Sequence, residues 1–133
     1  MTDYSNEIKS NLERAETNLN AAKDLLDKEY YDIAASRAYY AAFCKARNFL
    51  RAQKNVHIPN TGRAHRLVWQ WFEGNSSDEV KQIGVEGNRL KEDRRKADYD
   101  DAVPNLSSLA TEALELSGKI IANLTEIDEL NHR

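Results

Sequence analysis

The stretch from Asp32 to Lys54 constrains the fold more than any other part of the chain. At helical pitch one stripe reads Ser36, Tyr40, Phe43, Arg47 and Leu50, and the adjacent one reads Ala35, Tyr39, Ala42, Ala46 and Phe49. Apolar character therefore covers well over half of the circumference. A helix with so wide an apolar surface has to lie at the centre of a bundle. Ala34, Ala38 and Ala41 stand between the tyrosines and let neighbouring backbones come close, while Arg37, Cys44, Asn48 and Arg51 mark the remaining, more polar side. Asp32 is placed to cap the exposed N–H groups at its start.

Four further helices follow from the same periodicity. Ile8, Leu12, Ala15, Leu19, Ala22 and Leu26 predict a first helix over about residues 5–28, with Ser5 as its cap. Pro59 breaks the pattern after the central helix, and Thr61 caps a short helix ending before Gly74. On that helix Ala64, Leu67, Val68, Trp71 and Phe72 form the predicted core face, leaving His65, Arg66, Trp69 and Gln70 turned elsewhere, with Trp69 exposed. Ser76 and Glu79 read as a capping box for a helix reaching about Asp98, with Val80, Ile83, Gly87, Leu90, Arg94 and Ala97 on its inward stripe. Val103 and Pro104 fix an extended link, after which Leu106, Leu109, Ala113, Ser117, Ile120, Leu124 and Ile127 define the last helix. The expectation is an all-α fold: an antiparallel up-and-down four-helix bundle with an additional short helix.

A chain of 133 residues is long enough for one core and too short for two, so residues 1–133 are expected to form a single domain. No run approaches the ~20 apolar residues that span a membrane, and Met1-Thr2-Asp3-Tyr4 lacks the basic start of a signal peptide, which predicts a cytoplasmic protein without membrane association. Cys44 has no second cysteine to pair with and reads as a small packing residue. The net charge of −3 disfavours a protein that coats nucleic acid by bulk electrostatics. Charge is nonetheless uneven. No acid occurs between Asp32 and Glu73, an interval that carries Arg37, Lys45, Arg47, Arg51, Lys54, Arg63 and Arg66. Either a local basic surface or a set of solvated helix faces accounts for that interval.

Most catalytic chemistries find no anchor here. His57, His65 and His132 are far apart in sequence, so no metal site is expected, and no cofactor. Gly84 and Gly87 fall in mid-helix without the Lys-Ser/Thr of a phosphate loop, and close packing explains them better. Two places remain. In the cluster Asp93-Arg94-Arg95-Lys96-Ala97-Asp98-Tyr99, an exposed i, i+4 contact between Arg94 and Asp98 is the plain reading, but it does not explain why Arg94 falls on the inward phase. A guanidinium beside a phenol and away from bulk water is suited to clamp a phosphate bidentately. The second place is Ser36-Arg37-Ala38-Tyr39-Tyr40, where buried phenols require hydrogen-bond partners and core packing is the simpler account.

Taken in order, Leu25-Leu26 before Tyr30-Tyr31, then Ala35-Ser36-Arg37-Ala38-Tyr39-Tyr40-Ala41-Ala42-Phe43, then Arg94-Arg95-Lys96-Ala97-Asp98-Tyr99, the chain resembles the HEPN family of prokaryotic helical bundles over most of its length. The resemblance implies a homodimer that works on RNA or nucleotides, commonly beside a minimal nucleotidyltransferase antitoxin. Active members cut RNA without metal, using an Arg followed after four to six residues by a His. Here the residues following Arg94 at that distance begin at Tyr99 and continue through Asp100 and Asp101, so the imidazole is missing.

The resemblance then points to Arg94, Asp98 and Tyr99 as the centre of a toxin-type, ribonuclease-like site with weak or lost catalysis. His65 is the remaining candidate imidazole, and Tyr99 is a candidate point of nucleotide attachment. Arg37, Arg47, Arg51, Arg66 and Arg95 are the candidate RNA- or nucleotide-binding cations. The rival expectation is a non-catalytic helical interaction module, in which the tyrosines and Arg94 hold a homodimer or hetero-complex together and Trp69 contributes to the interface.

Overall fold

The computed structural model describes residues 4–99 and 105–131, and contains five helices: α1 Tyr4–Asp27, α2 Tyr31–Gln53, α3 Arg63–Glu73, α4 Asp78–Tyr99 and α5 Leu106–Asn131. No strand occurs among the described residues. The expected Val103-Pro104 link, with Asp100 and Asp101, lies outside them. The helices form the antiparallel bundle that the periodicity predicts, and α2 is its axis: it packs along α1 and α5, and touches α3 and α4 on its remaining side. Its alanines explain how one helix can meet four others. Ala34, Ala35, Ala38, Ala41, Ala42 and Ala46 are all buried, and the Ser117 hydroxyl of α5 donates to the Ala38 carbonyl at 2.7 Å, which requires close backbone approach.

Two residues of α2 depart from the expected pattern. Tyr40, placed on a core stripe by periodicity, is 52% exposed. Lys45, counted above among the basic surface residues, is buried and paired with Asp128 of α5 at 3.2 Å. The helical wheel locates α2's faces, but which neighbour covers each face is decided by the other helices.

The short helix α3 gives the largest correction. Trp69, expected to be exposed, is completely buried, whereas Leu67 is exposed and Trp71 is only partly covered, edge-on to Phe72 at 5.1 Å between ring centres. The cause lies on α4. A Cβ on Gly87 would run into the Trp69 indole, and one on Gly84 would meet the backbone of Trp69 and Glu73. The two glycines thus open a slot that admits α3 and its indole. Because α3 packs chiefly against α4, its buried face is turned toward His65 and Trp69.

Helix starts also differ in detail. Asp32 lies inside the first turn of α2, not before it, and its carboxylate accepts the Ile33 N–H at 2.9 Å. Thr61 contributes its carbonyl, accepting from the Ala64 N–H at 3.0 Å, while Gly62 occupies the cap position of α3 without a side-chain bond. Helix α4 begins at Asp78, so Ser76 is not its cap; the nearby Asn75 side chain accepts the Ser77 N–H at 3.0 Å. At the end of α1, Glu29 adopts a left-handed backbone with φ of 67°, and the Tyr30 and Glu29 N–H groups return to the Leu25 and Leu26 carbonyls. That is the hydrogen-bond pattern of a Schellman termination, usually made by glycine.

Candidate functional site

The site is built around Tyr39, which α2 carries into the gap between α3 and α4. Its phenol oxygen accepts the indole N–H of Trp69 at 3.1 Å and lies 2.7 Å from Nδ1 of His65. The ring of His65 stacks on Phe43, one turn further along α2, with centres 4.2 Å apart and planes 16° from parallel. On α4, Arg94 is half-buried on the inward phase its spacing predicts. Its guanidinium carbon sits 5.3 Å from the centre of the Tyr39 ring, and its Nε pairs with Asp98 at 3.4 Å. Such cation–π placement fixes a guanidinium plane without consuming its N–H donors.

A second guanidinium flanks the same aromatic pair. Arg47 lies over Phe43 at 5.6 Å, its nearest polar partner being the Cys44 sulfur at 3.6 Å, and its Nε is buried with no hydrogen-bond partner. The cluster thus brings two guanidinium groups, one of them paired with Asp98, to the same pair of rings. His65 reflects it: partial burial lowers its pKa from the ordinary value, and the charges of Arg94, Lys91 and Arg47 lower it further. Tyr39 is pushed up to about 12 by burial, so its hydroxyl keeps its proton at all physiological pH. Beside this cluster a cleft of about 390 Å³ is lined by Asn88, Lys91, Glu92, Arg94, Arg95 and Tyr99.

The expected site residues divide into two groups. Arg94, Asp98, His65 and Arg47 meet around Tyr39 and Phe43, and Tyr99 and Arg95 border the adjoining cleft. Tyr99 is 73% exposed at the last residue of α4, and Arg95 pairs with Glu92 one turn back. The others stand apart. Arg37 faces α1, within 3.5 Å of the Asn18 side-chain oxygen. Arg51 donates to the Ile58 carbonyl at 2.7 Å and to Asn60 at 3.1 Å, which ties down the segment between α2 and α3. Arg66 is exposed on α3.

Lys91 was not singled out by the sequence, whereas Tyr39 was read there as a core phenol in need of a hydrogen-bond partner and Trp69 as an exposed interface residue. One local signal was available for Trp69, since it lies four residues after His65 on a helix and necessarily shares its face.

The model of the HEPN domain family matches residues 8–127. The chain belongs to the HEPN family. Among its relatives from Methanocaldococcus jannaschii, the protein named "Putative toxin MJ0142" is 27% identical over 123 residues, covering 92% of this chain and 82% of that protein. A second, "Putative toxin MJ0605", is 34% identical over 104 residues, covering 77% of this chain and 75% of that protein. No solved structure gives a significant match. No helix of this HEPN protein, among the described residues, is long and apolar enough to cross a membrane.

Proposed function

We propose that this HEPN protein is the toxin-side member of a toxin–antitoxin pair and acts by engaging RNA at the Tyr39–His65–Arg94 cluster. The observation that carries the reading is the meeting of Arg94 and His65, from separate helices, on one phenol ring, with the charges of Arg47 and Lys91 bearing on the same imidazole. Guanidinium groups held on aromatic faces with free N–H donors suit phosphodiester oxygens. The names of the two relatives supply the toxin side of the proposal. Strand cleavage is weak or lost, since Tyr99 stands where the family's histidine is expected. The antitoxin is a minimal nucleotidyltransferase, and exposed Tyr99, next to the Arg94 and Arg95 donors, is the residue it would modify.

Titration of the purified protein with single-stranded RNA, without metal, tests this reading. The parent is expected to bind, and Arg94→Ala to bind about tenfold or more weakly at the same salt concentration, with the fold retained by circular dichroism. Equal binding by parent and variant, or none by either, removes the RNA reading.

One observation favours a second reading, that of an interaction module. Ile33 and Tyr40 are both about half exposed on α2 and line a shallow surface with Ser36 and Arg37. If this surface joins two copies, Tyr40→Glu shifts the sedimentation coefficient to that of a monomer.

A further inference from the structure

The hydrogen bonds around Tyr39 determine which nitrogen of His65 carries its proton. Trp69 Nε1–H can only donate, and it donates to the Tyr39 oxygen at 3.1 Å. The Tyr39 hydroxyl proton must then go elsewhere, and among the described residues its acceptor is Nδ1 of His65 at 2.7 Å. Accepting that proton leaves Nδ1 without one of its own, so a neutral His65 holds its hydrogen on Nε2. Nε2 has no partner among the described residues. The reverse tautomer would have Nδ1–H donate to the phenol, and the buried Tyr39 hydroxyl would then lose its acceptor, which leaves an unsatisfied buried donor. Protonating both nitrogens has the same defect and adds a positive charge among Arg94, Lys91 and Arg47.

We infer that Tyr39 is a positioning residue: through Trp69 N–H and its own hydroxyl it holds His65 as a neutral imidazole that presents Nε2–H to an anionic oxygen, alongside the guanidinium groups of Arg94 and Arg47. The site then takes a phosphodiester by donation alone. His65 has neither a free lone pair to accept a 2′-hydroxyl proton nor a positive charge to release one, which makes this a phosphate-holding site and not a proton-transfer site. The inference rests on the RNA reading only for the identity of the anion. The state of His65 is a property of the free protein.

Nitrogen-15 NMR of the imidazole tests it directly on the unliganded protein. The parent is expected to show His65 protonated at Nε2 with Nδ1 as a hydrogen-bonded acceptor throughout the neutral range. A proton on Nδ1, or a midpoint at or above the ordinary 6.5, overturns the proposal. Tyr39→Phe keeps the ring beneath Arg94 and removes only the hydroxyl, so the two tautomers are expected to become mixed and the titration to move toward 6.5. A variant spectrum identical to the parent's overturns the role of Tyr39.

Binding supplies the second readout, with inorganic phosphate and then an RNA oligonucleotide as probes. His65→Gln keeps an N–H near the Nε2 position but cannot carry a proton between groups, and is expected to retain clearly more binding than His65→Ala, which loses about tenfold or more. If Gln fails as badly as Ala, donation from Nε2 is wrong. If the parent binds neither probe, the RNA reading and the phosphate-holding role both fail, while the nitrogen spectrum still decides the tautomer.

Discussion

The indole of Trp69 occupies the space that a side chain on Gly87 would fill. This contact joins fold to site, because the same indole donates its N–H to Tyr39. Gly87→Ala would gain a little intrinsic helix stability, yet the added methyl has to displace a fully buried ring. The expected net loss is about 1–3 kcal/mol in chemical denaturation. The Tyr39–Trp69 hydrogen bond should weaken with it, visible as a shift in tryptophan fluorescence. An unchanged midpoint would show that the slot is slack.

A carboxyl pair between α4 and α5 should make stability depend on pH. Burial, and then the hydrogen bond and negative charge of Glu112, push Asp93 up to about 7 from its ordinary 3.8. The hydrogen bond from Asp93, aided by Arg89, holds Glu112 below its ordinary value. Between about pH 4 and pH 7 the unfolded chain has released the Asp93 proton and the folded chain still holds it, so this group's contribution falls as pH rises and is gone above about 7. Glu112 acts in the opposite sense, contributing above its ordinary range and losing that contribution as pH falls through its folded value. Asp93→Asn supplies an amide donor to Glu112 at every pH. Thermal unfolding should find the variant close to the parent near pH 5 and more stable at pH 8, by roughly 1–2 kcal/mol. Parallel curves for the two proteins would contradict the assignment.

Lys45 and Asp128 form the most deeply buried ion pair among the described residues, with side chains 1% and 5% exposed. Removing either partner takes away the opposite charge that the other meets across the contact between α2 and α5. Lys45→Met is expected to cost about 3–5 kcal/mol, and Lys45→Met combined with Asp128→Leu to recover most of it. Urea denaturation of the two single variants and the double variant measures the coupling. Additive losses would mean that the pair is not a unit.

Glu29 has a left-handed backbone that glycine adopts without penalty. Its side chain is exposed, so Glu29→Gly should raise stability by about 0.5–1 kcal/mol, after allowance for the extra freedom of glycine in the unfolded chain. A lower melting temperature in the variant would show that the exposed carboxylate outweighs backbone strain.

Much of this protein was legible in its residues, and the limits are specific. Arg94 could be placed on an inward phase because α4 repeats regularly and the periodicity of one helix is a local property. Trp69 could not be placed, because its burial depends on Gly84 and Gly87 of a different helix. Lys45 and Arg51 looked like available cations. Each is used internally, by Asp128 and by the loop after α2, and such pairings join positions that sequence spacing does not relate.

By itself the sequence determined five helices, a central α2 and membership of the HEPN family, since these rest on local periodicity and on the order of short motifs. Only the tertiary structure decided that His65, from α3, meets Arg94, from α4, on the ring of Tyr39, and that Trp69 fixes the phenol between them. Hydrogen bonds and ring contacts across three helices depend on how closely the helices pack, and here that distance is set by the missing side chain of Gly87.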